Sequence, residues 1–137
     1  MEITWKKQYE VGNIEIDSEH KVFVEIICKI KEAISQQYDW KQLGYLLEEL
    51  LKYTDFHFCS EENIMRFCNY PKLKYHREKH HILLMELRQK IHVLQGKDQE
   101  KVNELITFLI DWFINHTLKE DMKIARFIEN FQISKNP

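Results

Sequence analysis

Apolar side chains recur at three- and four-residue intervals through four long stretches of this chain, the repeat of helices that each bury one face. The first stretch carries Phe23, Ile27, Ile30 and Ile34 and is expected to start near Asp17 or Ser18, either of which can cap it. The second opens near Asp39-Trp40 and runs through Leu43, Leu46, Leu50 and Tyr53 to His57, Glu61 and Ile64. Gly44 inside it costs about 1 kcal/mol relative to alanine, which a long packed helix absorbs. The third is expected to start after Tyr70 with Pro71 in the favoured first turn, to continue through Leu73, His76, His80, Leu84, Leu87, Ile91 and Leu94, and to end at Gly96. The fourth begins near Asp98 and carries Val102, Leu105, Leu109, Trp112 or Phe113, and His116, then Ile124 and Ile128. An irregular N-terminal arm with Trp5, Tyr9 and Val11-Gly12 precedes them. Short connections force neighbouring rods to alternate in direction, so the pattern predicts an all-α fold, an up-down-up-down four-helix bundle. The whole chain, 1–137, is expected to form that single domain.

Seven polar residues interrupt these apolar stripes: His20; His57 and Glu61; His76 and His80; His116 and Asp121. They lie near the start, end, start and late part of successive rods, which alternation brings to one end of the bundle. From each set to the far end of its helix there are about 16 to 19 residues, roughly 25 to 28 Å at the helical rise, so the levels agree. A lone histidine on an apolar stripe is more often a core residue bonded to a carbonyl than a ligand. Seven polar residues in one layer reverse that reading, because a buried carboxylate without a cation costs several kcal/mol. No lysine or arginine shares the stripe layer, and a bound metal is the simplest compensation. Glu120 lies four residues after His116 and Asp121 five, so strict helical spacing favours Glu120; the face shared with Ile124 and Ile128 favours Asp121. Asp121 is chosen, with Glu120 as its replacement. His81 and His92 step off the stripe and are expected at the surface.

Composition narrows the possibilities further. Three glycines and two prolines suit a few long helices, and 44% hydrophobic residues suffice for one core. The net charge of −2 provides no basic field for nucleic acid or an anionic membrane surface. The basic run of Lys72, Lys74, Arg77 and Lys79 reads as a solvated helix face. Cys28, Cys59 and Cys68 lack the spacing of a disulfide framework or zinc finger and are read as reduced thiols. With no apolar leader and no window of membrane-spanning length, the expected location is the cytoplasm.

Imidazole and carboxylate without thiolate suit iron, manganese or zinc, and seven donors exceed what one ion takes. Two ions with about six positions each offer roughly twelve; five histidines fill five, two bridging carboxylates four, and a shared oxo or hydroxo group two. The one position left open, at a redox metal in an apolar pocket, is suited to a small gas, and iron is the usual candidate.

These residues closely resemble the bacterial hemerythrins over nearly the whole chain: Ile16-Asp17-Ser18-Glu19-His20-Lys21, His57-Phe58-Cys59-Ser60-Glu61-Glu62 with Met65, Tyr70-Pro71, His76 to His80, and Trp112-Phe113-Ile114-Asn115-His116 with Asp121. The resemblance implies reversible dioxygen binding at a non-haem di-iron centre, for storage, delivery or sensing, without enzymatic turnover. By position it implies that His76, His80 and His116 hold one iron and His20 and His57 the other. Glu61, Asp121 and the oxo or hydroxo group would bridge them, and dioxygen would add at the iron with two histidines. Three departures bear on behaviour. Phe113 stands where leucine usually lines the oxygen pocket, and its bulk is expected to narrow access. Thr117 stands in place of isoleucine, its hydroxyl expected to admit water and speed autoxidation. Ile124 replaces a common tyrosine and removes a hydrogen-bond donor. The alternative is a di-iron enzyme reducing dioxygen, peroxide or nitric oxide. Ferritin-like oxidases supply Glu-x-x-His from two helices, whereas the one such pair here, Glu78 and His81, lies off the layer. A metal-free interaction module leaves the polar core positions unexplained. Nitric oxide and a protein that accepts oxygen are the further partners considered. Sensing in this family goes with a fused signalling domain, for which 137 residues leave no room, so a carrier or buffer is expected.

Overall fold

The computed structural model describes residues 3–94 and 98–135, with side chains described as far as residue 132. Its elements are a short 3-10 turn, Lys7–Tyr9, then α1, Ile14–Ser35; α2, Trp40–Phe67; α3, Leu73–His92; α4, Gln99–Asp111; a wide π turn, Trp112–Thr117; and α5, Leu118–Lys135. The segments from Gln99 to Lys135 follow one another without a break, so four rods result, as the stripes predict. The described residues contain no strand.

Local chemistry sets most of the boundaries. Asp39 caps α2 in a reciprocal box with Gln42, and Asp98 caps α4 by accepting from the amides of Glu100 and Lys101. The ends of α1 and α2 share one device: Gln37 and Asn69 take left-handed backbone, both with φ 56°, while Tyr38 N–H bonds Ala33 O and Tyr70 N–H bonds Met65 O, both at 2.9 Å. The tight reversals that follow bring α2 back along α1 and α3 back along α2.

Two expected starts move. The first helix begins at Ile14, not near Asp17 or Ser18, because the Asn13 side chain accepts from Ile16 N–H and caps it there. Ile14 is 87% exposed and the buried face opens only at Ile16, two residues into the helix. Asp17 instead accepts from Val11 N–H at 2.8 Å and Gly12 N–H at 3.3 Å, pinning the arm to α1. Gly12 makes that bend at φ 95°, a conformation costly for a side chain with Cβ. The third helix begins at Leu73, leaving Pro71 in the preceding turn rather than in its first turn. The proposed stop at Gly96 lies outside the described residues.

The larger core cluster contains Ile27, Ile30, Leu50, Leu87, Leu105 and Leu109, all nearly inaccessible. A second cluster around Met65, Ile124 and Ile128 closes the opposite side of the polar layer. His81, His92, Lys72, Lys74 and Arg77 are exposed, as expected. Among the described residues no helix is long and apolar enough to cross a membrane.

Candidate metal centre

Six of the seven stripe residues converge between the two core clusters. His20, His57, Glu61 and Asp121 are buried, and one donor atom from each lies within 4.8 Å of all the others. Glu61, His76 and His80 form a second such group, so Glu61 belongs to both. Each helix contributes as its direction requires: His20 from the second turn of α1, His57 and Glu61 one turn apart late in α2, His76 and His80 one turn apart early in α3, and Asp121 early in α5.

His116 stands apart. It lies in the wide turn, is exposed, and belongs to neither group, although it borders the same cavity. That cavity, about 360 Å³, is bounded by apolar Phe58, Leu83 and Trp112 as well as by donors of both groups. Thr117 also lines it, whereas Phe113 does not. Phe113 is 1% exposed and packs edge-on to His20 at 5.3 Å and to Tyr9 at 5.6 Å. Asp121 faces the core, with its Oδ2 2.8 Å from His20 Nε2. Glu120, the alternative to it, sits nearer the cavity mouth, 3.7 Å from His76 Nε2 and 3.6 Å from Lys79 Nζ.

Two carboxylates that the apolar stripes do not single out hold the histidines in place. His57 Nδ1 donates to Glu19 at 2.7 Å, and Glu19 also accepts from Ser60 Oγ at 2.6 Å. His80 Nδ1 donates to Glu62 at 3.0 Å, and Arg77 lies 3.4 Å from that same carboxylate. Ionised carboxylates have no proton to give, so each contact fixes the ring proton on Nδ1 and turns Nε2 inward. Glu19 and Glu62 are chain neighbours of His20 and Glu61, one step off the stripe. Adjacency to a ligand on an otherwise apolar face was the signal available.

The electrostatics are those of crowded donors. Burial, reinforced by the charge of His57, lowers His20 to about 3. Burial opposes a charge on His57 as well, but its contacts with Glu19 and Glu61 prevail and raise it to about 9. Burial pushes Glu61 upward, yet His57 and His80 hold it well below the ordinary carboxylate value. Asp121 is driven well above that value, first by burial and then by the negative Glu61 beside it.

Whether these residues fit a metal pair is decided by their unpaired atoms. His20 Nδ1, His57 Nε2, Glu61 Oε2 and His76 Nε2 are buried with no hydrogen-bond partner. His57 Nε2 and Glu61 Oε2 form an ion pair at 3.2 Å without the geometry of a hydrogen bond. Buried polar atoms without hydrogen-bond partners are costly in an apolar interior, and a cation bound among them offsets the cost. Nitrogen and oxygen donors without sulfur suit iron, manganese or zinc. The residues fit.

The comparisons with known proteins agree. The Hemerythrin HHE cation binding domain matches residues 12–128. A protein named bacteriohemerythrin from Campylobacter jejuni is 30% identical over 125 residues, spanning 90% of this chain and 93% of its own. Bacteriohemerythrin from Clostridium acetobutylicum is 28% identical over 121 residues, 85% of this chain and 94% of its own. That from Pseudomonas aeruginosa is 28% identical over 120 residues, 87% and 76% respectively. With a family match across most of its length, a bundle of the expected class and a converging set of histidines and acids, the chain belongs to the hemerythrin family.

Proposed function

We propose that this protein binds dioxygen reversibly at a non-haem di-iron centre, as one domain formed by the whole chain. The observation that carries the reading is the convergence of two overlapping groups of buried donors, His20, His57, Glu61 and Asp121 with Glu61, His76 and His80, several of whose atoms have no hydrogen-bond partner. His20 and His57 would hold one iron and His76, His80 and His116 the other, with Glu61, Asp121 and a solvent-derived oxo or hydroxo group between them. When bound, the irons supply the electrons and the open coordination position that dioxygen needs. The chain supplies the rest. Glu19 and Glu62 keep a proton on Nδ1 of His57 and His80, so that Nε2 points inward. Phe58, Leu83 and Trp112 keep the cavity apolar, limiting the water that promotes irreversible oxidation. The Thr117 hydroxyl adds a polar group to the wall, beside the charged Lys79, Glu86 and Glu120.

Carriage is favoured over turnover because histidines outnumber carboxylates in the donor set, and the additional negative charge that stabilises oxidised iron in carboxylate-rich oxidases is missing from it. The relatives carry the name bacteriohemerythrin, which accords with this. The test is iron quantification followed by anaerobic reduction and re-exposure to air in an absorption spectrometer. Two irons per chain and an oxygen-dependent band that reverses on deoxygenation are expected. Steady dioxygen consumption with added reductant would overturn carriage in favour of an enzyme.

A further inference from the structure

The position of His116 follows from where one extra residue sits in the fourth rod. An α-helix turns about 100° per residue, so five residues separate two side chains by about 140° around the axis. His116 and Asp121 are five apart. From Leu118 onward the backbone is α-helical, Asp121 faces inward, and His116 is accordingly exposed. The surplus residue is taken up in the wide turn Trp112–Thr117, which runs mostly ahead of His116 and closes just after it, where Leu118 N–H bonds back to Phe113 O five residues earlier.

The same surplus has a second place to go. A wide turn after His116 lets the upstream α repeat continue unbroken, which keeps His116 on the stripe of Leu105, Leu109 and Trp112. It also brings the fifth residue, Asp121, near where a fourth residue falls in an ordinary helix, about 40° away. Both side chains then face the cavity. Something in the cavity favours that arrangement: the group of Glu61, His76 and His80 offers three donors, His76 Nε2 is buried without a partner, and His116 borders the same space.

We propose that the wide turn moves along the rod, and that an ion taken up by Glu61, His76 and His80 shifts it about one turn toward the C-terminus and carries His116 from solvent into the site. This rests on the reading that two metal ions occupy the cavity. The movement exchanges one set of backbone bonds for another within a rod that stays helical, so it needs no unfolding of α4 or α5.

The test compares the full-length protein, stripped of metal, with the same protein given two equivalents of zinc, a redox-inert probe. Histidine labelling by diethyl pyrocarbonate, read by mass spectrometry, reports exposure, with His81 and His92 as exposed references. Amide hydrogen exchange across residues 112–122 reports the turn. On zinc uptake, labelling of His116 is expected to fall about tenfold, as a shift to a mainly closed population requires. Protection is expected to rise at residues 116 to 118 and fall at 120 to 122. Removing exposed Lys119 shortens the spacing to four and makes the wide turn unnecessary. That variant is expected to protect His116 with or without zinc. Two zinc ions bound with His116 still reactive would overturn the inference alone, as would protection of His116 with no change in amide exchange, the mark of a simple side-chain rotation. Uptake of fewer than two ions would overturn the reading on which it rests, and the inference with it.

Discussion

Replacing Glu19 tests whether the carboxylate behind His57 sets metal affinity. Its Oε1 accepts from His57 Nδ1 at 2.7 Å and its Oε2 from Ser60 Oγ at 2.6 Å, while its side chain is only 13% exposed. Short, charge-assisted and shielded from water, this contact fixes both the ring orientation and the tautomer that presents Nε2 to the cavity. Loss of such a partner typically lowers metal affinity by about 10- to 100-fold, or roughly 1.4 to 2.7 kcal/mol. Glu19→Gln keeps the shape and an acceptor oxygen but removes the charge, so it belongs at the lower end of that range. Glu19→Ala frees the ring and belongs at the upper end. The assay is an anaerobic ferrous titration against a competing chelator, with circular dichroism to follow helix content. The decisive result is the ranking wild type, Gln, Ala. An alanine variant that retains both irons as tightly as the wild type would refute the argument that Glu19 positions His57.

Iron uptake should be proton-coupled. His57 binds its extra proton up to about pH 9 and Asp121 is also raised, so ligation below those values must release protons, and apparent affinity should climb with pH toward about 9. Acidification of a weakly buffered solution on adding ferrous ion checks this; no proton release at pH 7 would contradict it. Thr117→Ile removes the hydroxyl on the cavity wall and should slow autoxidation after oxygen exposure, followed by decay of the oxygen-dependent absorption band; an unchanged rate would remove Thr117 from that role. Leu50→Ala, at a side chain with 0% exposure, should destabilise the bundle by about 2 to 5 kcal/mol in denaturant unfolding, and a loss under 1 kcal/mol would mean the core refills the gap.

The bundle was legible because leucine and isoleucine at three-four spacing mark the buried faces directly, and because Asp39 and Asp98 announce their helices by cap chemistry. The start of α1 was not, since exposed Ile14 and Glu15 carry no stripe and the capping signal lay in Asn13, outside the periodic region. Pro71 misled for a related reason: its ring suits a first turn, but the reversal around left-handed Asn69 uses the next residues before helix bonding begins. Six donors converged because helix direction and level are both readable from length. The seventh failed to join them for a reason visible in the sequence only as a conflict. Spacing pointed to Glu120 and the downstream face to Asp121, and that disagreement by one residue is the wide turn seen from outside. Stripe logic also passed over Glu19 and Glu62, because side chains that brace a ligand from behind lie beside the apolar face rather than on it.

The left-handed residue that ends α1 has a use for anyone wishing to make a sturdier protein. Gln37 occupies a backbone shape in which a β-carbon costs about 1 to 2 kcal/mol, and no glycine relieves it. It lies 17 residues beyond His20, roughly 25 Å along the helix. Reserve stability is therefore stored at the end of the bundle remote from the candidate metal centre, where an engineer can release it with a single glycine and leave the gas-binding end untouched.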